Sequence, residues 1–224
     1  MTQELESRPS IEVLLLDVGG VLSPSPSHLA IAEVEARLGM PPGILSPLLY
    51  DGEPWTTLST GGMTEDEYWQ ILADRLHCDP DELQAIARPV WGPEGGGGVD
   101  AALVDLARAA GRHVHLAILS NATLHLEAFL DAYGISDMFD PILNSARIGL
   151  RKPDLRCYQY ALDVLGVPAP AVLFVDDKLR NTDAARELGI TCLEYTGAAS
   201  LAEALVEYGV LRADEVEFPS LTRL

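Results

Sequence analysis

Residues 171–189 read AVLFVDDKLRNTDAARELG, and this stretch decides the fold. Five apolar residues stop at two adjacent carboxylates, Asp176 and Asp177. A near-continuous apolar run this short reads as a strand buried on both faces. A helical pattern follows from Asn181 and stops at Gly189, the residue type favoured just past a helix end. Strand, polar turn and helix together make the unit of a parallel sheet covered by helices. Ligands of such sheets bind beyond the carboxyl ends of the strands, where Asp176 and Asp177 fall.

The same unit recurs along the chain. IEVLLL (11–16) stops at Asp17, VHLAIL (114–119) stops at Ser120, and residues 138–143 lead into Asn144. TCLEY (191–195) is a weaker fifth run. Helical spacing fills 100–111, 155–166 and 200–209, each closed by glycine. The expected class is α/β, a Rossmann-like parallel sheet with helices on both faces.

Residues 24–98 break the alternation. Helical patterns cover 28–38, 64–76 and 80–90, with a capping-box spacing from Thr64 to Glu67. SPSPS (23–27) precedes them and a glycine run (95–98) follows. The segment reads as a small α-helical cap, 24–98, hinged on a core of 1–23 and 99–224. The plainer alternative is a set of extra helices packed on the core. Trp55, Tyr68, Trp69 and Trp91 read as interior residues of this segment, with Trp55 a candidate to line a substrate pocket.

Composition narrows the function. The 224 residues suit one large domain, or one domain with a small accessory, at roughly 150 residues per domain. Apolar residues make up 48%, so a disordered chain is excluded. A chain this long buries about 70% of its unfolded surface and needs no metal or disulfide to fold. The net charge is −19, which repels nucleic acid and anionic membrane. Neither is expected as a partner. Cys78, Cys157 and Cys192 show no CxxC spacing and read as reduced thiols, not a zinc site. The N-terminal residues lack a signal-peptide pattern, and no apolar run approaches the ~18 residues of a membrane span. A cytoplasmic protein is expected. The five histidines show no ligand spacing.

Four strand-end or loop sequences can carry chemistry. Asp17 precedes Gly19 and Gly20, which let backbone approach a ligand; one such acid alone is more often a turn residue. Ser120 and Asn121 offer small polar groups and free N–H groups to an anion, and are also common in turns. Lys152 lies in GLRKPD, beside Arg151 and before a proline expected at a helix start. It is one of only two lysines; the other is Lys178. Asp176 and Asp177 repel each other and call for a cation, and their hard oxygens suit Mg²⁺. They could equally decorate a helix N-terminus.

Taken in order, LLLDVGGVL, LAILSNAT, SARIGLRKPD and VLFVDDKLRNTDAARELGI resemble the four motifs of the haloacid dehalogenase-like hydrolase superfamily. The resemblance runs from Ile11 to about Tyr195, and the helical insert falls where the family places its C1 cap. It looks most like the phosphatase-type branch that includes the N-terminal domain of soluble epoxide hydrolases. The resemblance implies Asp17 as a nucleophile forming an aspartyl-phosphate. It implies Ser120, the backbone at Asn121, and Lys152 as phosphate-binding groups. Mg²⁺ would be held by Asp17, the carbonyl of Gly19 and Asp177, with Asp176 supporting or sharing. The substrate would be a small phosphorylated molecule. Arg151, Lys152, Lys178 and Arg180 bracket the motifs and offset the negative field locally.

Gly19 departs from the pattern. The family's usual second aspartate, a general acid and base, stands two residues after the nucleophile. Such a group contributes about 10² to 10⁴ in rate. Substitutes on the insert are Asp51, Glu53 or His28; an acidic leaving group, such as an anomeric or acyl phosphate, needs none. Two other functions compete: a metal-free 2-haloacid dehalogenase, whose branch also lacks that aspartate, and a catalytically weak phosphate-binding or regulatory protein. A receiver-type phosphoacceptor domain places its acidic pair near the N-terminus and has no cap. Oligomeric state has no signature in the sequence.

Overall fold

A computed structural model of the chain describes residues 9–25, 28–91 and 98–216. Strands β1 (Val13–Leu16), β2 (His115–Ser120), β3 (Ile142–Asn144), β4 (Val172–Asp176) and β5 (Thr191–Glu194) form one parallel sheet. Their order is β3-β2-β1-β4-β5. Leu16 of the central strand pairs with Ile118 on one side and Val175 on the other. Successive strands are laid down on one side of β1 and then on the other. The crevice beyond β1 and β4 is therefore a topological switch point, where open α/β sheets bind ligands.

Among the described residues, five helices follow β1 before residue 92: α1 (His28–Arg37), α2 (Leu45–Tyr50), α3 (Glu53–Leu58), α4 (Glu65–Leu76) and α5 (Pro80–Trp91). The remainder carries α6 (Ala101–Ala110), α7 (Leu126–Ala132), α8 (Ser145–Ile148), α9 (Leu155–Leu165), α10 (Leu179–Glu187) and α11 (Ala198–Glu207). Each strand side chain alternates between the two faces. Leu14, Leu16, Leu173 and Val175 share a core with Leu103 and Leu201 from α6 and α11. Val13, Leu15, Val172 and Phe174 pack against Tyr158 and Ala185 from α9 and α10. Two buried faces explain why these strands read as continuous apolar runs.

The inserted helices bury an apolar cluster of their own, built on Val34, Leu45, Leu49, Leu72 and Leu83. Tyr68 joins it and donates its hydroxyl to the Leu49 carbonyl at 2.5 Å. Thr64 and Glu67 form the reciprocal capping box expected at the start of α4. The chain leaves and rejoins the sheet region at one place, where the Asp100 N–H donates to the Leu22 carbonyl at 2.8 Å. Part of each flank, residues 26–27 and 92–97, lies outside the described residues. So do the side chains of His28 and Trp91.

Three local expectations change. Helices α2 and α3 were not anticipated, because six residues each are too few to display a helical period. Strand β3 starts at Ile142, after Pro141, which has no N–H to give a ladder. Helix α9 starts at Leu155 with Asp154 as its cap, so Pro153 lies outside it: the Asp154 carboxylate accepts the Arg156 N–H at 2.9 Å. No helix among the described residues is long and apolar enough to cross a membrane.

Candidate active site

Asp17 follows β1 directly, and its carboxylate accepts the Val18 N–H at 2.7 Å. Asp176 closes β4 one strand away. Lys152 arrives from the loop between α8 and α9 and is 1% exposed. Its Nζ lies 3.0 Å from Asp17 Oδ1 and 2.6 Å from Asp176 Oδ2. The ammonium also stands 5.3 Å from the centre of the Phe174 ring.

Two asparagines hold this arrangement. Asn121 grips the backbone of Lys152, donating to its carbonyl at 2.8 Å and accepting its N–H at 2.9 Å. Asn181 donates to both oxygens of Asp176 at 2.9 Å, and the Lys178 N–H adds a bond of 2.9 Å. A lysine and an amide thus saturate Asp176. Asp177 differs: its Oδ1 is buried and has no hydrogen-bond partner.

Electrostatics separate the three acids. Burial pushes Asp17 up to about 6, an effect only partly offset by Lys152. Burial also acts on Asp176, but Lys152, Lys178 N–H and Asn181 outweigh it and hold the carboxyl below its usual value. Asp177 is raised by burial. Lys152 would be lowered by burial, yet Asp17 and Asp176 raise it overall. The exposed ammonium of Lys178 favours the ionised forms of Asp17 and Asp177.

Asp17, Asp176 and Asp177 each present an oxygen within 4.8 Å of the others. Hard carboxylate oxygens, one of them buried without a donor, fit a Mg²⁺-type cation. The glycine turn after Asp17 serves the same space. Gly20 adopts φ +86°, and a Cβ on it would overlap the Asp177 carboxylate. A Cβ on Gly19 would meet nothing within 4 Å.

The sequence-derived residues fare differently. Asp17, Lys152, Asp176 and Asp177 converge. Ser120 ends β2 and is buried. The Asn121 side chain is committed to Lys152, which leaves only its backbone for an anion. Glu53 accepts from Thr57 within α3, and Asp51 acts electrostatically on Arg151. Neither is among the charges acting on Asp17. Asn181 was missed; the only signal was its position five residues after Asp176, in the first turn of α10.

The inserted helices touch this region at several points. Arg151 Nη1 donates to Thr56 Oγ1 at 2.5 Å, while Arg151 Nε is buried without a partner. Gly61 sits so close to the Ala146 carbonyl that no side chain fits there. His125 Nε2 lies 3.4 Å from Glu65 Oε1.

Comparison with known proteins agrees with this geometry. Residues 97–189 match the family model described as haloacid dehalogenase-like hydrolase. The chain is 28% identical over 184 residues to a drimenol cyclase of Aspergillus calidoustus, covering 80% of this chain but 33% of that protein. This chain therefore spans about a third of that relative. It is 29% identical over 153 residues to a sesquiterpene phosphatase of Aspergillus oryzae, covering 66% of this chain and 75% of that one. A haloacid dehalogenase-family enzyme from Bacteroides thetaiotaomicron, solved with magnesium and inorganic phosphate, shares the fold at 19% identity. Its TM-score is 0.65, with 82% of this chain and 93% of that chain covered. In residues 97–189 the chain is thus similar to haloacid dehalogenase-like hydrolases, and its overall fold is shared with a solved member of that family.

Proposed function

We propose that the protein is a Mg²⁺-dependent hydrolase of a small phosphorylated molecule, working through an aspartyl-phosphate on Asp17. One observation carries the reading: Asp17 and Asp176 pair with a single buried ammonium, and Asp177, clustered with them, has one oxygen that lacks a donor. Asp17, Asp177 and the Gly19 carbonyl would hold the metal, with Asp176 supporting. When bound, the ion offsets the charge of the phosphoryl oxygens and polarises the scissile bond.

The protein groups do the rest. Lys152 keeps the Asp17 carboxylate ionised at neutral pH despite its burial. The same ammonium draws the phosphoryl group toward that carboxylate, which otherwise repels it. Ser120 and the backbone N–H at Asn121 would hold the phosphoryl oxygens. The Asp17 carboxylate attacks phosphorus and the alcohol leaves; water then cleaves the acyl phosphate and regenerates Asp17. Gly19 has no proton to give, so the leaving group must be acidic enough to depart unaided, or draw its proton from solvent. The helices of 28–91 would act as a cap that screens the step from water. A cytoplasmic setting suits the three free thiols.

Gly19 also fits a second reading, metal-free cleavage of a carbon–halogen bond, because a halide leaves without a proton. The unpaired Asp177 oxygen weighs against it. The test is release of phosphate from acyl, anomeric and aryl phosphates with and without Mg²⁺, beside a 2-haloacid. Phosphate release that needs Mg²⁺ and vanishes in Asp17→Asn supports the proposal. Halide release that survives EDTA, without phosphatase activity, overturns it.

A further inference from the structure

Helices α2, α3 and α4 and the segment after β2 line a half-open cavity of about 420 Å³. Small-molecule pockets of about 300–1,000 Å³ are common, and mostly apolar. One wall is an aromatic ladder of Tyr50, Trp55, Tyr68 and Trp69. Successive rings meet edge to face, with centroids 5.2, 6.3 and 5.5 Å apart. Thr123 and Phe129 form the wall opposite.

Among the described residues, none that lines the cavity is a lysine or arginine. Its titratable groups besides the tyrosines are Glu65 and His125, which face each other at 3.4 Å. A phosphate would find no matching cation here. Most of the lining is ring and aliphatic surface, which suits an apolar body better than a polyhydroxylated one. A hydrocarbon or aromatic body fits.

None of the carboxylate-site residues lines the cavity, but both of its walls are linked to that site through the chain. Thr123 lies three residues past Ser120, so the two are within about 11 Å even if the chain is fully extended. On the other wall, Trp55 neighbours Thr56, which is bonded to Arg151, the residue before Lys152. Each wall is therefore tied to a segment that builds the site.

We infer that this cavity receives the apolar body of the phosphoester whose phosphoryl group is attacked by Asp17. The substrate class is the phosphate of a bulky apolar alcohol, phenol or acid. Selectivity then resides in Trp55, Trp69 and Phe129, which do not touch the reacting atoms. The inference rests on the phosphohydrolase reading above.

The test uses para-alkylphenyl phosphates from hydrogen to hexyl, because the leaving-group acidity stays nearly constant while the apolar body grows. The kcat/KM should rise roughly fourfold per methylene until the cavity is filled. Phe129→Ala, on the sheet side, and Trp55→Ala, on the helical side, should each remove at least about tenfold from the hexyl compound and distinctly less from phenyl phosphate, so that the rise with chain length flattens. A flat series, with phenyl phosphate hydrolysed and Asp17→Asn inactive, overturns the cavity assignment and leaves the phosphatase reading standing. If no compound releases phosphate, the phosphatase reading fails, and 4-hexylphenol becomes the probe. Saturable change of tryptophan fluorescence that Phe129→Ala weakens keeps the cavity as an apolar ligand site. No change overturns it.

Discussion

The carboxylate of Asp177 stands where a side chain on Gly20 would begin: an added Cβ would come within 2.9 Å of Oδ1 and closer still to Oδ2. Gly20 also sits at φ +86°, a region where an L side chain costs about 1–2 kcal/mol. One glycine therefore sets both the turn after the proposed nucleophile and the position of the unpaired acid. Gly20→Ala should lower stability by about 1–2 kcal/mol in urea unfolding. It should also abolish the rise in melting temperature on adding Mg²⁺, which the unaltered protein should display.

Removing the buried ammonium should be far more damaging than removing a surface charge. Lys152→Met leaves Asp17 and Asp176 facing each other without a cation. Breaking one partner of a buried pair costs about 3–5 kcal/mol. Urea unfolding at pH 7 should reveal a loss of that order, together with loss of phosphate release. The deficit should shrink in acid, as the two stranded carboxylates take up protons.

Asp17→Asn should inactivate and stabilise at once. Burial raises Asp17 to about 6, above its ordinary 3.8, so the folded protein holds this proton more tightly than the unfolded chain. Between those values stability falls with rising pH, and above about 6 the full cost of the charged form is present. A neutral amide removes that cost. The melting temperature of the metal-free variant should exceed the parent's at pH 7, and the two should converge below pH 4. A lower melting temperature at pH 7 would mean that Asp17 contributes more through Lys152 than burial takes away.

Gly19 has room for a side chain, since its Cβ would meet nothing within 4 Å. Gly19→Asp should fold normally and place a proton donor beside the reacting centre. On phosphates of poor leaving groups, kcat should rise by about 10². Aryl or acyl phosphates, which leave unaided, should gain little. Equal gains on both kinds would show that the added carboxylate acts on the metal or on binding instead.

The strand ends were legible in the sequence because strand and helix periods are local. Buried runs stop where the sheet stops, so Asp17, Ser120 and Asp176 could be placed at one edge without coordinates. The parallel sheet, the position of the helical insert and the Thr64 capping box follow from the same short-range rules. Tertiary structure alone decided how those ends are used. Lys152 falls between Asp17 and Asp176 because Asn121, on another loop, fixes its backbone. Asn181 and Lys152 saturate Asp176, while one oxygen of Asp177 is left without a donor. The aromatic cavity exists because two six-residue helices, too short to announce themselves, set Tyr50 and Trp55 against Tyr68 and Trp69. Each of these depends on distances between segments remote in the chain, and those are fixed by packing, not by local periodicity.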